Sequence, residues 1–265
     1  MAEISDQGEQ VIFTGKSIRM VGGGAFFSHT PTLFSHFEEG AGAINSWVPQ
    51  KFVTTETGAA TPFALGATGA SVLIAVTGGT TNNGEELAGK RVSWVPSTSG
   101  ILGKLSLEVR AKFVGATTAT DGDFYLGFAD AVTFTNSLPY VISAASAFTT
   151  SVPTEFAGFG YSSIPTSGTL YSASGNYIGI VTEKAASAAA VLSTGVVKDS
   201  LFHVYRVELD SSGNATFFLD DAKVGVTLLA VTAATALTPY IVANAKNTHA
   251  HTATIDYIHV KGDLV

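Results

Sequence analysis

The segment LSLEVRAKF, residues 105 to 113, alternates apolar and polar side chains without a break. Successive side chains of an extended chain point to opposite faces. Leu105, Leu107, Val109, Ala111 and Phe113 therefore line one face, and Ser106, Glu108, Arg110 and Lys112 the other. Such a strand asks for a core on one side and water on the other. FHVYRVELDSSGNATFFLDD, residues 202 to 221, reads as two more strands joined by a polar turn. DFYLGFADA, residues 123 to 131, is apolar on both faces, the pattern of a central strand.

Further strands are expected at 71 to 77, 158 to 163, 177 to 182, 238 to 245 and 253 to 260. The pieces between, such as TGGTTNNGEELAG (77 to 89) and VPSTSG (95 to 100), are rich in Gly, Asn, Ser and Pro and read as turns. EKAASAAAVLSTG, residues 183 to 195, is the one helix candidate, and is equally a loop with a single turn. Residues 1 to 33 differ from the rest. A polar start leads into VIFTGKSIRMV, read as one strand or an extended arm, then into Gly22-Gly23-Gly24, a natural hinge. The expected organisation is an N-terminal arm over 1–33 and one β-sandwich domain over 34–265.

With 265 residues, folding buries roughly three quarters of the unfolded chain's surface, enough for a core without staples. Cysteine is absent, so disulfides and thiolate metal sites are excluded. Only 13% of residues are charged, a surface suited to packing against copies of itself. The net charge of −7 and the scattered basic residues leave no footprint for nucleic acid. Two uncharged stretches, 131 to 154 and 224 to 245, reach membrane-spanning length but carry Thr, Ser, Asn and Pro. They are read as strands with loops, and no membrane insertion is expected. The N-terminus lacks a basic region followed by an apolar run, so no secretion signal is expected.

The hairpin H-x-Y-R-V-E-L-D, S-S-G-N, A-T-F-F-L-D-D, followed by T-P-Y-I and a terminal T-I-D-Y-I-H-V, resembles the C-terminal half of the concanavalin A-like lectin and glucanase superfamily. The likeness extends back through Asp123 to Asp130, Leu105 to Phe113 and Trp47, covering residues 34 to 265. It implies an all-β, antiparallel, two-sheet jelly-roll sandwich, here preceded by the arm. In the glucanases, catalysis rests on a strand reading E-x-D-x-E, whose alternation places the carboxylates on one sheet face. This chain offers Glu208-Leu209-Asp210, and Ser211, Ser212 and Gly213 follow where a second glutamate would be needed. The expectation is no enzyme, with Glu208 and Asp210 capping a turn and facing water.

Two pairs carry metal-ligand chemistry. Asp121 and Asp123 offer oxygens of the kind calcium takes, and are equally a polar turn before a strand. His249 and His251 share a face if extended, and are equally loop histidines. No cofactor is expected. Trp47, Trp94 and Tyr161 are the candidates for stacking on a sugar ring. Sandwiches without the catalytic carboxylates and rich in Ala, Thr and Gly look like structural proteins of tailed bacteriophage. That resemblance implies a virion protein made in the host cytoplasm, a capsid decoration or minor head protein. Its partners would be copies of itself, other capsid proteins and, in the alternative, a host-surface glycan bound by a lectin-like module of a tail or fibre.

Overall fold

The structure, a computed structural model, describes residues 2–3, 9–14, 17–22, 32–36, 52–57, 61–65, 73–76, 84–89, 94–98, 104–115, 122–130, 140–142, 148–150, 154–161, 177–185, 190–245 and 250–262. In chain order the strands are β1 (Ala2–Glu3), β2 (Glu9–Thr14), β3 (Ser17–Gly22), β4 (Thr32–His36), β5 (Phe52–Thr57), β6 (Thr61–Leu65) and β7 (Leu73–Val76). Then come β8 (Gly84–Gly89), β9 (Lys104–Gly115), β10 (Asp123–Ala129), β11 (Tyr140–Ile142), β12 (Phe148–Thr150), β13 (Phe156–Tyr161) and β14 (Tyr177–Glu183). The last are β15 (Ala190–Val197), β16 (His203–Asp210), β17 (Ala215–Leu219), β18 (Ala222–Thr227), β19 (Thr238–Asn244) and β20 (His251–Lys261). A 3-10 turn, Pro96–Thr98, is the sole helical element among the described residues, and no described helix is long and apolar enough to cross a membrane.

Two antiparallel sheets form the sandwich. One has seven strands in the order β15-β14-β13-β10-β19-β8-β5. The other has eight, β18-β17-β16-β9-β20-β7-β6, with β4 added against β20. The fold is the two-sheet antiparallel sandwich expected from the alternation, and the jelly roll that the resemblance implies. β9 shows why: its five predicted apolar residues are buried while Glu108, Arg110 and Lys112 are half-exposed. Between the sheets, Phe113 stacks on Phe124 with ring centroids 4.0 Å apart, and Phe159 meets Tyr205 and Phe217 edge-on at 5.3 and 5.7 Å.

Three expectations are corrected. VIFTGKSIRMV is two strands rather than one: β2 pairs with β3, Thr14 opposite Ser17, and with β1 they form a separate three-stranded sheet. The helix candidate gives way to β15, because Val191, Thr194, Val196 and Val197 are β-branched and Val191 and Leu192 pair with Val181 and Ile180 of β14. The stretch read as the turn TGGTTNNGEELAG contains β8, held between β19 and β5.

Turn chemistry places the hairpins. Asp220 and Asp221 have φ of 50° and 63°, and Leu219 pairs with Ala222, the geometry of a two-residue type I′ connection. Asp210 organises the turn between β16 and β17. Its carboxylate accepts from the N–H groups of Ser212 (2.8 Å) and Asn214 (3.0 Å) and from Asn214 Nδ2 (2.8 Å).

Candidate functional site

The two sheets treat their outer faces differently. The eight-stranded sheet presents a half-exposed charged lattice, in which Lys104 Nζ meets Glu208 Oε2 at 2.7 Å and Arg206 lies 3.6 Å from Glu108 and 3.5 Å from Glu208. The seven-stranded sheet is closed to solvent on both sides at its centre, over β10 and β13. Every residue of β10 and β13 is buried. Phe124, Leu126, Phe128, Ala157 and Phe159 belong to the inter-sheet core. The alternate residues Tyr125, Ala129, Phe156, Val181, Tyr240, Val242 and Ala88 are equally buried but lie outside that core. By alternation they form a second layer on the outer face, together with Glu86 (2% exposed), Asp123 (0%) and Glu183 (2%).

Strand register orders this layer. Glu86 is opposite Val242, Val242 opposite Tyr125, and Tyr125 opposite Gly160. One step along, Ala88, Tyr240, Gly127, Gly158 and Val181 follow in a row. Tyr240 donates its hydroxyl hydrogen to Glu86 Oε2 at 3.2 Å. Gly160 leaves room for the Tyr125 ring, since a Cβ there would meet Tyr125 Cδ1 at 2.8 Å. The outer face is thus a strip of bare backbone framed by aromatic rings, with carboxylates toward its margins. Glu86 and Glu183 are four strand spacings and four residues of strand apart, about 23 Å, and Asp123 stands about 12 Å from Glu86.

The residues predicted from sequence scatter. Trp94 is 5% exposed and bridges to Leu237 through both backbone N–H···O bonds, and Tyr161 is 1% exposed beside Phe124. Both belong to the inter-sheet core, which withdraws them as sugar-stacking rings. Trp47, Asp121 and His249 lie outside the described residues. Asp123 and His251 are each fully buried and close in space, but they do not share a ligand set. The His251 ring faces the core near Phe113, its Nδ1–H donating to the Asp123 carbonyl at 3.1 Å, whereas the Asp123 side chain takes the outer face with Tyr125. Among the described residues no group of three or more His, Asp or Glu is placed to hold a metal.

Glu208 and Asp210 sit on and beside the opposite sheet, away from the closed face. Asp210 caps its turn as read, while Glu208 is engaged with Lys104 and Arg206 on the sheet face. Partial burial works to raise the Asp210 pKa, but the bonds from Asn214 and Ser212 and the Lys104 charge outweigh it and hold the carboxyl below its ordinary value. That makes it a poor proton donor near neutrality. Sequence reasoning missed Glu86, Tyr125 and Tyr240. Glu86 lay inside a stretch of turn composition, although the order Glu85, Glu86, Leu87, Ala88 departs from the Gly, Thr and Asn that precede it.

At one end of the eight-stranded sheet, His203 lies between two carboxylates, Nδ1 2.6 Å from Asp220 and Nε2 3.0 Å from Asp199. Both ring nitrogens face acceptors, so the imidazolium form satisfies both. Burial acts to lower the His203 pKa, but the hydrogen bonds and charges of Asp220 and Asp199 outweigh it and raise it above 6.5. A folded-state pKa above the unfolded one stabilises fully below about 6.5 and fades as pH rises through the folded value. The carboxylates are roughly half exposed, which keeps the effect small. His203→Gln is expected to lower the melting temperature by about 1–3 °C at pH 5.5 and by less at pH 9. An equal loss at both pH values would mean the ring acts only by packing.

No protein-family model and no curated protein matches the sequence. Solved structures match across most of its length. The Emp47p carbohydrate recognition domain superposes with a TM-score of 0.55 at 14% identity, covering 90% of this chain and 99% of that one. The potassium-bound Emp46p carbohydrate recognition domain gives 0.53 at 10% identity, covering 85% and 94%. A Bacillus licheniformis β-glucanase gives 0.51 at 8% identity, covering 88% and 98%. At these identities the likeness is one of fold, and the fold is the concanavalin A-like jelly roll.

Proposed function

We propose that this chain is a non-catalytic carbohydrate-binding module whose ligand face is the outer face of the seven-stranded sheet. One observation carries the reading: Glu86, Tyr125, Phe156 and Tyr240 are enclosed together on a face that takes no part in joining the sheets. Aromatic rings receive the C–H faces of a sugar, and a carboxylate and phenol receive its hydroxyls. These side chains are 0–2% exposed, so a saccharide reaches them only by displacing what covers them. A glycosidase needs two carboxyl groups about 5–10 Å apart. The outer-face carboxylates are spaced more widely, and this supports binding over cleavage. The likeness of fold to two carbohydrate recognition domains and a β-glucanase adds support from a different direction.

A glycan array probed with the full chain is expected to give saturable binding to a restricted set of saccharides. Glu86→Gln and Tyr240→Phe, which change no volume, are expected to weaken it at least tenfold, about 1.4 kcal/mol or more. A flat array would overturn the assignment. A second, compatible reading is that the module is mounted on a virion, the capsid decoration role inferred from the sequence. The separate β1–β2–β3 sheet, whose last residue is Gly22, favours it as a docking piece. Deletion of residues 1 to 33 is then expected to spare glycan binding and abolish attachment to particles; attachment by the shortened chain would remove this second reading.

A further inference from the structure

His203, the first residue of β16, stands where three parts of the chain meet. Its Nδ1 faces Asp220 Oδ2 of the β17–β18 turn at 2.6 Å, and its Nε2 faces Asp199 Oδ1 of the β15–β16 connection at 3.0 Å. That connection, residues 198–202, carries the chain from the seven-stranded sheet to the eight-stranded one. Both carboxylates accept hydrogen bonds. Only the imidazolium, with a hydrogen on each nitrogen, holds the two at once. A neutral ring has a single N–H and turns a lone pair toward the other carboxylate.

The two contacts are not equally supported. Asp220 is fixed to β16 by two further bonds: its backbone N–H donates to the Val204 carbonyl at 2.9 Å, and its Oδ1 accepts from the Val204 N–H at 2.9 Å. Among the described residues Asp199 has no such tie to β16. Its other bond, from the Leu201 N–H to Oδ1 at 2.7 Å, closes a turn within the connection itself. Packing adds little there, since Leu201 is 65% exposed. When one proton is lost, the other therefore stays on Nδ1, toward the shorter and better-anchored contact. The Asp199 side is the one that gives.

The other charges around the ring are turned elsewhere. Opposite His203 on β9 is Ala111, a core residue, and the flanking Arg110 and Lys112 lie over the Phe202 ring. Asp221 faces Arg206, and the Lys198 ammonium lies 5.1 Å from the centre of the Tyr161 ring. Tyr205 meets the imidazole edge-on at 6.2 Å, and burial pushes its hydroxyl up, so it stays neutral. Asp199 and Asp220 are left to set the charge of the ring. Burial favours loss of the proton, but the bonds and charges of the two carboxylates outweigh it and keep the proton on to a pH above 6.5.

We propose that His203 is a proton-operated clasp on the β15–β16 connection: the imidazolium ties the connection to the β17–β18 hairpin, and loss of its proton frees the connection while the hairpin stays bound. The clasp is closed below pH 6.5 and opens as pH rises through the folded-state value. Lys198, at the start of the connection, is 3% exposed over Tyr161, so release loosens the cover of the inter-sheet core at that ring.

The test is amide hydrogen exchange of the full chain by NMR across the imidazole titration, each rate divided by the intrinsic rate of that amide at the same pH. The Leu201 N–H reports the Asp199 turn, which is marginal once the ring lets go, and the Val204 N–H reports the Asp220 contact. Leu201 is expected to lose about five- to tenfold of its protection between about pH 6 and 9, while Val204 changes by less than about twofold. His203→Gln, neutral at every pH, should leave Leu201 weakly protected throughout, with no step. At high pH the ring nitrogen shifts should show the hydrogen on Nδ1. A parent without the Leu201 step overturns the proposal, as does a step that persists in His203→Gln. A hydrogen on Nε2, with Val204 losing protection instead, overturns it in favour of release of the hairpin. The parent's exchange and tautomer decide the matter without reliance on the folding of the variant.

Discussion

Gly158→Ala is expected to cost about 3–5 kcal/mol or to prevent folding outright, a loss on the scale of the large core truncations. A Cβ at this position would lie 2.3 Å from the Leu126 carbonyl oxygen, 2.7 Å from Gly127 Cα and 2.7 Å from Phe156 Cζ. The first two are backbone atoms of the neighbouring strand and cannot swing aside as a side chain would. Nor can β13 retreat, because β10 pairs with it on one side and β14 on the other. Gly195→Ala is the control. Nothing lies within 4 Å of its Cβ position, so its cost is confined to the left-handed conformation at φ +76°, about 1–2 kcal/mol. Urea unfolding of both variants separates the two causes. Equal costs would mean that the close approach of β10 and β13 is not rigid, and the bare-backbone strip between Tyr125 and Phe156 would lose its stated origin.

That glycine strip also shows what was legible in the sequence. GFGYSS carries glycine on one face and aromatics on the other, so Phe159 and Tyr161 were bound to share a side. Which side faced the second sheet was not written there. Tyr161, a candidate for sugar stacking, is core because Phe159 is. Trp94 misled for a related reason: an aromatic among Ser, Pro and Thr looks like a loop ornament, and its bridge to Leu237 links residues 143 positions apart. β9, β10 and the β16–β17 hairpin were readable because their patterns are local. Asp210 was readable as well, since a turn carboxylate acts within four residues of itself.

What the sequence concealed is set by pairing at long range. The alanine run before β15 favours a helix by propensity, but Val191 and Leu192 gain more from the partners β14 supplies. Glu86 becomes notable only once β19 places Tyr240 within hydrogen-bond reach, 154 residues away. The edge position of β15 and β18 is invisible for the same reason. Edge status belongs to the order of strands in a sheet, and no single strand encodes it.

Phe159 joins the sandwich to the proposed binding face, and its truncation gives the second large effect. The ring is fully buried on the inner side of β13, edge-on to Tyr205 and Phe217 of the opposite sheet. Phe159→Ala is expected to cost about 3–5 kcal/mol, from lost transfer energy and a cavity that two rigid sheets cannot close. For a chain of this size that is a fall of about 8–15 °C in melting temperature. Phe159→Leu keeps most of the volume but gives up the aromatic edges, and about 1–1.5 kcal/mol is expected. The outer neighbours of Phe159 are Gly158 and Gly160, on which Phe156 and Tyr125 lie. If the glycan contacts that outer layer, the leucine variant should stay folded at 25 °C and bind more weakly, because β13 then sits less firmly under the rings. Full affinity in a folded, destabilised Phe159→Leu protein would separate the core from the ligand face and move the binding site off β13.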